Sequence, residues 1–352
     1  MTQTAAEASS SRKKIITALK FSFFFGLGIL IIWLSVKDLS AEERSQILHS
    51  FRTADYWWVL LVILLGGISH IFRSARWIMF FEPMGFKPRL DTTFYAVMVG
   101  YFANMAFPRL GEVTRCGIMS KYAKVPFQKA LGTVVTERAI DMLIFFILFI
   151  IMVLTQMGTI RDYLDQNLYP KLVAKFGALH YSRMLLLSIA GLVVLIVLAL
   201  FVLRKKIMAS KLYMKFRNLV IGFWEGLKSL SQVKRPALFV FYSLAIWVLY
   251  FFMLFLIFFC FPETAKLSAG AGLSALVLGS VGIMITPGGI GLYPAIIQET
   301  LLLYGIGKAT GLALGWIAWT AQTVMISIAG GASLLLLSLQ RTQNGQDKNS
   351  KK

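Results

Sequence analysis

Six long apolar runs limit what this chain can fold into more than any other feature. They cover residues 15–36, 57–81, 139–157, 183–203, 237–260 and 311–338. Each approaches or exceeds the roughly 20 residues that a helix needs to cross a bilayer. Inside lipid every backbone amide must find a partner within its own segment, so these runs fold as helices. The chain has 352 residues, of which 57% are hydrophobic and only 15% charged, more apolar surface than a soluble core hides. The fold class is therefore all-α, a polytopic integral membrane helical bundle. The first run follows Arg12, Lys13 and Lys14. It is longer than the apolar core of a signal peptide and has no small-residue cleavage site, so it reads as an uncleaved first helix.

Charge sets the expected orientation. Lys and Arg total 36 against 16 Asp and Glu. In a membrane protein such an excess points to cytoplasmic loops facing anionic lipid. The 204–235 segment carries nine basic residues against Glu225 alone and is expected inside, as are both termini. With Phe223 and Trp224 among its lysines it resembles an amphipathic surface helix on lipid rather than a nucleic-acid site. Segments 37–55 and 158–182 mix acids and bases and suit the outer side.

Two apolar stretches do not fit as plain spans. Thr92 to Phe107 is short and flanked on both sides by basic residues, so it is expected to enter and return from the cytoplasm. The stretch from Leu267 to Tyr304 is interrupted by "TPGGIGLYP" and, by parity, enters and returns from the outside. Each half thus has the same order of elements with opposite topology, the layout of an inverted repeat with two re-entrant or broken hairpins. The symmetry is one of hydropathy and Pro/Gly position; no residue-by-residue repeat links the halves.

The first break reads "GYFANMAFPRLGEVTRCGIMSKYAK". Pro108 disfavours helix at Phe107, and Gly111 permits a sharp turn. A helix restarting there would aim its first amides at an anion. Arg109 and Arg115 add planar forks suited to phosphate, and Glu112 could hold an arginine in place. A plain cytoplasmic loop obeying the positive-inside rule is the simpler alternative. Arg73 and Arg76 share a face of the second span, where they either line a cavity or snorkel. Glu137, Arg138 and Asp141 enter the next span. An unpaired Asp141 ahead of "MLIFFILFI" would be costly, so a partner is expected: Arg138 in the same helix, or Arg109, Arg73 or Arg76 across the bundle. In the second break Pro287, Gly288, Gly289, Gly291 and Pro294 leave no ordinary helix. Glu299 beyond it is either an ion site or a polar cap.

Several chemistries are missing from the sequence. "YGIGKAT" lacks phosphate-loop spacing. His49, His70 and His180 are scattered, and Cys116 and Cys260 have no metal-ligand spacing. No cofactor, no metal and no catalytic residue is expected.

Together "RSARW" (73–77), "GYFANMAFPRLGEVTR" (100–115), "TERAIDM" (136–142) and "TPGGIGLYPA" (286–295) resemble the lysylphosphatidylglycerol synthase transmembrane-region family, also called flippase-like domain proteins. The resemblance covers almost the whole chain. It implies a lipid-translocating module over 15–338, in halves of about 15–157 and 183–338, between an N-terminal tail (1–14) and a basic tail (339–352). In the full-length bacterial synthases this region moves aminoacylated phosphatidylglycerol to the outer leaflet. Their soluble aminoacyltransferase domain has no counterpart here, so transferase activity is not expected to follow the family name. The resemblance places Arg73, Arg76, Asn104, Arg109, Glu112, Arg115, Arg138 and Asp141 as substrate-binding residues, and Pro108, Gly111, Pro287, Gly288, Gly289 and Gly291 as turns. The expected function is binding and translocating a phospholipid or other lipid-linked amphiphile across a bacterial-type inner membrane. The expected partners are membrane lipids, anionic or aminoacylated phospholipids among them, and no nucleic acid. The alternative is a membrane subunit or partner of a separate lipid-modifying aminoacyl- or glycosyl-transferase. The sequence leaves the oligomeric state open.

Overall fold

The computed structural model describes residues 37, 40–106, 109–163, 165 and 233–349. The predicted spans at 15–36 and 183–203, most of the basic 204–235 loop, and Pro108 lie outside the described residues. Among those described there are nine α-helices and no strand: α1 (Ala41–Thr53), α2 (Tyr56–Phe81), α3 (Leu90–Ala106), α4 (Leu110–Tyr122), α5 (Phe127–Tyr163), α6 (Pro236–Ile257), α7 (Ala269–Ile285), α8 (Leu292–Leu302) and α9 (Lys308–Asn349).

Four helical stretches are long and apolar enough to cross a membrane: Tyr56–Met84, Phe127–Thr159, Pro236–Cys260 and Lys308–Leu339. They match the predicted runs at 57–81, 139–157, 237–260 and 311–338, with one clear difference. The helix expected to begin near residue 139 starts at Phe127. Its first turns carry Gln128, Lys129, Thr133, Glu137 and Arg138, which lower the hydropathy. Ala130, Thr133, Val134 and Glu137 are nevertheless buried, because this stretch packs polar side chains inward against partners on α2 and α4.

Helix starts follow ordinary capping chemistry. Ser40 and Glu43 form a reciprocal capping box on α1. Asp55 accepts from the Trp57 amide at the start of α2, and Ser268 accepts from the Ala271 amide at the start of α7. Ends predicted to share the outer side lie close together: the Asp55 amide donates to the Cys260 carbonyl at 3.0 Å, and the Thr310 hydroxyl to Glu263 at 2.6 Å. A large apolar core around Trp247, Ile257, Phe258 and Ile297 fills this end. A second core around Trp77, Phe81, Met119 and Phe239 fills the other.

Both irregular stretches fold as pairs of antiparallel helices joined by a break. Helices α3 and α4 form the first pair, α7 and α8 the second. In the second break Pro287 opens a short 3-10 turn, and Gly288, Gly289 and Gly291 take φ of 60°, 75° and 71°. These are left-handed conformations that glycine adopts without steric cost. Helix α8 then lies close on α9, where a β-carbon on Gly315 would stand 2.8 Å from Pro294 Cα. The small-residue face at Gly311 and Gly315 thus serves helix contact within the chain. The two breaks abut: a β-carbon on Gly288 would lie 3.7 Å from Met105 Cα. The Trp319 indole donates to the Gly288 carbonyl at 2.8 Å and ties α9 to this turn.

Candidate functional site

Charged residues on α2, α4 and α5 meet inside the bundle. On α5, Glu137 and Asp141 are four residues apart and so lie on one face. Glu137 stands ten residues, about 15 Å, beyond the start of its helix. Facing it on α2 are Arg73 and Arg76, which share a face in the same way. From α4 comes Arg115.

Glu137 is fully buried and touches all three guanidiniums, at 3.1 Å from Arg73, 3.4 Å from Arg76 and 2.9 Å from Arg115. Asp141 contacts Arg73 at 2.7 Å and Arg76 at 2.8 Å. Of the partners open to Asp141 on sequence grounds, the structure selects Arg73 and Arg76 rather than Arg138 or Arg109. All five side chains are at least nine-tenths buried. The balance is three positive charges against two negative, leaving one positive charge in an apolar surround.

Neighbouring groups fix the orientation of these arginines. The Arg115 guanidinium lies 4.6 Å above the Trp77 ring, a cation–π stack. Trp77 in turn donates its indole N–H to Thr133 at 2.9 Å. Arg73 stands 5.8 Å from the Tyr101 ring, and Arg76 donates to the Ser243 hydroxyl on α6 at 3.3 Å. The Ser243 bond links the cluster to a helix of the second half.

Three charges lie toward the outside of this cluster. Arg138 follows Glu137 but points away from it, is 44% exposed, and donates to Glu112 at 3.0 Å. Glu112 occupies the first turn of α4. The other Glu112 oxygen, Oε2, is shielded from solvent and has no hydrogen-bond partner among the described residues. Arg109 is exposed, forms no ion pair among the described residues, and caps α4 with its backbone. Arg109 and Arg115, read together from the sequence, are therefore separated: one faces outward and the other is locked in the core.

The turn itself differs from the sequence reading in its mechanics. The left-handed residue is Arg109, with φ of 65°, while Gly111 is helical and buried. Gly111 is required for close approach. A β-carbon there would collide with the Gly100 carbonyl and stand 2.7 Å from Asn104 Cγ. Asn104 closes the turn by accepting from the Gly111 amide at 2.7 Å.

Glu137 is the residue that site selection from the sequence left out. Its signal was present in the four-residue spacing to Asp141, which puts both carboxylates on the face that meets Arg73 and Arg76.

Comparison with known proteins places the chain in a family. Residues 15–330 match the family described as "Lysylphosphatidylglycerol synthase TM region". A 99-residue segment is 32% identical to a UPF0104 membrane protein of Methanocaldococcus jannaschii, covering 27% of this chain and 30% of that relative. A UPF0104 membrane protein of Methanothermobacter thermautotrophicus is 24% identical over 348 residues, 91% of this chain and 98% of the relative. No solved structure matches the chain. Over most of its length, then, this membrane protein belongs to the lysylphosphatidylglycerol synthase transmembrane-region family.

Proposed function

We propose that the protein binds a phospholipid or other lipid-linked amphiphile by its head group and translocates it across the inner membrane, with both termini in the cytoplasm. The observation that carries this reading is the surplus of arginine inside an apolar bundle. Three guanidiniums share two carboxylates, and two further arginines stand at the rim. An ionisable cluster at membrane depth is costly and is kept where a polar substrate passes. Arg109 and Arg138 would receive the phosphate, because they are the exposed members of the group. Arg73, Arg76 and Arg115 would supply the positive field behind them and hold α2, α4 and α5 in register. The two broken hairpins, related as an inverted repeat, would provide the moving parts. Any movement driven by this chain would be downhill or coupled to an ion.

The test is lipid scrambling by the purified protein in liposomes carrying a head-group-labelled fluorescent lipid. Arg109→Ala is expected to abolish it. Scrambling unaffected by this substitution, or absent with every lipid class tried, would remove the reading.

A further inference from the structure

The Arg138–Glu112 contact differs from every ion pair in the buried cluster in its exposure. Arg138 Nη2 stands 3.0 Å from Glu112 Oε1, with Arg138 44% and Glu112 22% exposed, where no cluster side chain exceeds 10%. The carboxylate is held on one side only, since Glu112 Oε2 is closed off from solvent without a hydrogen-bond partner among the described residues. A carboxylate oxygen in that condition carries a desolvation cost that its position does not return. Of the five donors of the arginine at the other end, only Nη2 is engaged among the described residues. Directly behind it, the Arg73, Arg76, Arg115, Glu137 and Asp141 cluster has one positive charge more than its carboxylates neutralise.

Glu112 thus occupies an anion position that it fills poorly. It presents one oxygen where a phosphate presents several, and it stops short of a two-point contact with a planar fork. We propose that Glu112 is a built-in stand-in for a phosphate group: an incoming phosphate takes Arg138 from it, and Glu112 competes with the ligand rather than helping to bind it. This deepens the head-group reading and rests on it. Exchange sets a threshold for occupancy, since the ligand must outbid an anion that is always present. It also gives the site a resting state in which Arg138 is neutralised when no head group is bound.

The exchange predicts a sign that an ordinary structural ion pair does not. The full-length protein in detergent micelles is titrated with phosphatidylglycerol, and bound lipid is counted by native mass spectrometry. Arg138→Gln is expected to weaken binding about tenfold, the loss of one charge-assisted contact. Glu112→Gln is expected to tighten binding about two- to fivefold, the release of one partly exposed ion pair. Glu112→Ala should move affinity in the same direction, and it keeps the test open if the amide variant fails to fold. If Arg138→Gln weakens binding while both Glu112 variants bind as wild type or more weakly, the exchange is wrong and the head-group reading stands. If Arg138→Gln and Arg109→Gln both bind as wild type, the head-group reading fails and takes the exchange with it. A parallel titration against inorganic phosphate identifies the source of the group. Displacement of the lipid assigns the position to any phosphate, and no displacement assigns it to the lipid diester; both results keep the exchange.

Discussion

Replacing Glu137 with glutamine should be the most damaging single-atom change that the charged cluster can suffer. The carboxylate touches three guanidiniums between 2.9 and 3.4 Å and is fully buried. The amide keeps one acceptor and the shape but removes the charge. Asp141, which touches only Arg73 and Arg76, is then the one carboxylate left in the cluster against three arginines, and the buried surplus rises from one positive charge to two. Breaking a buried pair costs about 3–5 kcal/mol, largely because the remaining charge is left without compensation. Here three partners are affected, so about 4 kcal/mol is a low-end figure, a large fraction of a total stability of roughly 5–15 kcal/mol. With an unfolding entropy of about 2.1 cal/mol/K per residue, each kcal/mol shifts the midpoint of a 352-residue chain by about 1.4 °C, so it should fall by about 5 °C. Cys116 and Cys260 provide the readout, since both thiols are free and buried and react with a thiol-sensitive dye only as the bundle opens. Asp141→Asn, with two partners and a side chain 10% exposed, should cost less. Glu112→Gln should cost under about 1 kcal/mol, as for other partly exposed pairs. A Glu137→Gln midpoint within about 2 °C of wild type, or a larger loss for Glu112→Gln, would refute the claim that Glu137 is the hub.

Two further outcomes follow from the first hairpin. Arg109→Gly removes a side chain from a left-handed position, so thermal stability should rise by about 1 kcal/mol while lipid scrambling is lost, two readouts moving in opposite directions. Gly111→Ala puts a methyl group against the Gly100 carbonyl and Asn104; it should destabilise by about 1–3 kcal/mol in the same dye assay, whereas Gly117→Ala, with open space around it, should not.

The sequence made the long elements legible because length and hydropathy are local properties. The runs at 57–81 and 237–260 correspond to helices Tyr56–Phe81 and Pro236–Ile257, and the Pro287–Gly291 break falls where no helix could continue. The early start of α5 was hidden because Glu137 and Thr133 look solvated on a hydropathy scale, and only their partners on α2 and α4 make them core residues. Gly111 offered a similar ambiguity. From the sequence it is a flexible turn residue; in the fold it is a contact surface, defined by Gly100 eleven positions earlier. The choice of partner was the least legible feature. Asp141 had four candidate arginines, and which two it meets depends on the rotation of α2 about its axis, a tertiary quantity.

The abutting breaks at Met105 and Gly288 have a mechanical consequence. The end of α3 at Met105 and the turn at Gly288 back each other, and the indole of Trp319 pins that turn to α9. Neither can swing toward the middle unless its neighbour yields. The bundle thus carries, where its two described breaks meet, an arrangement in which displacement on either side is handed across at once.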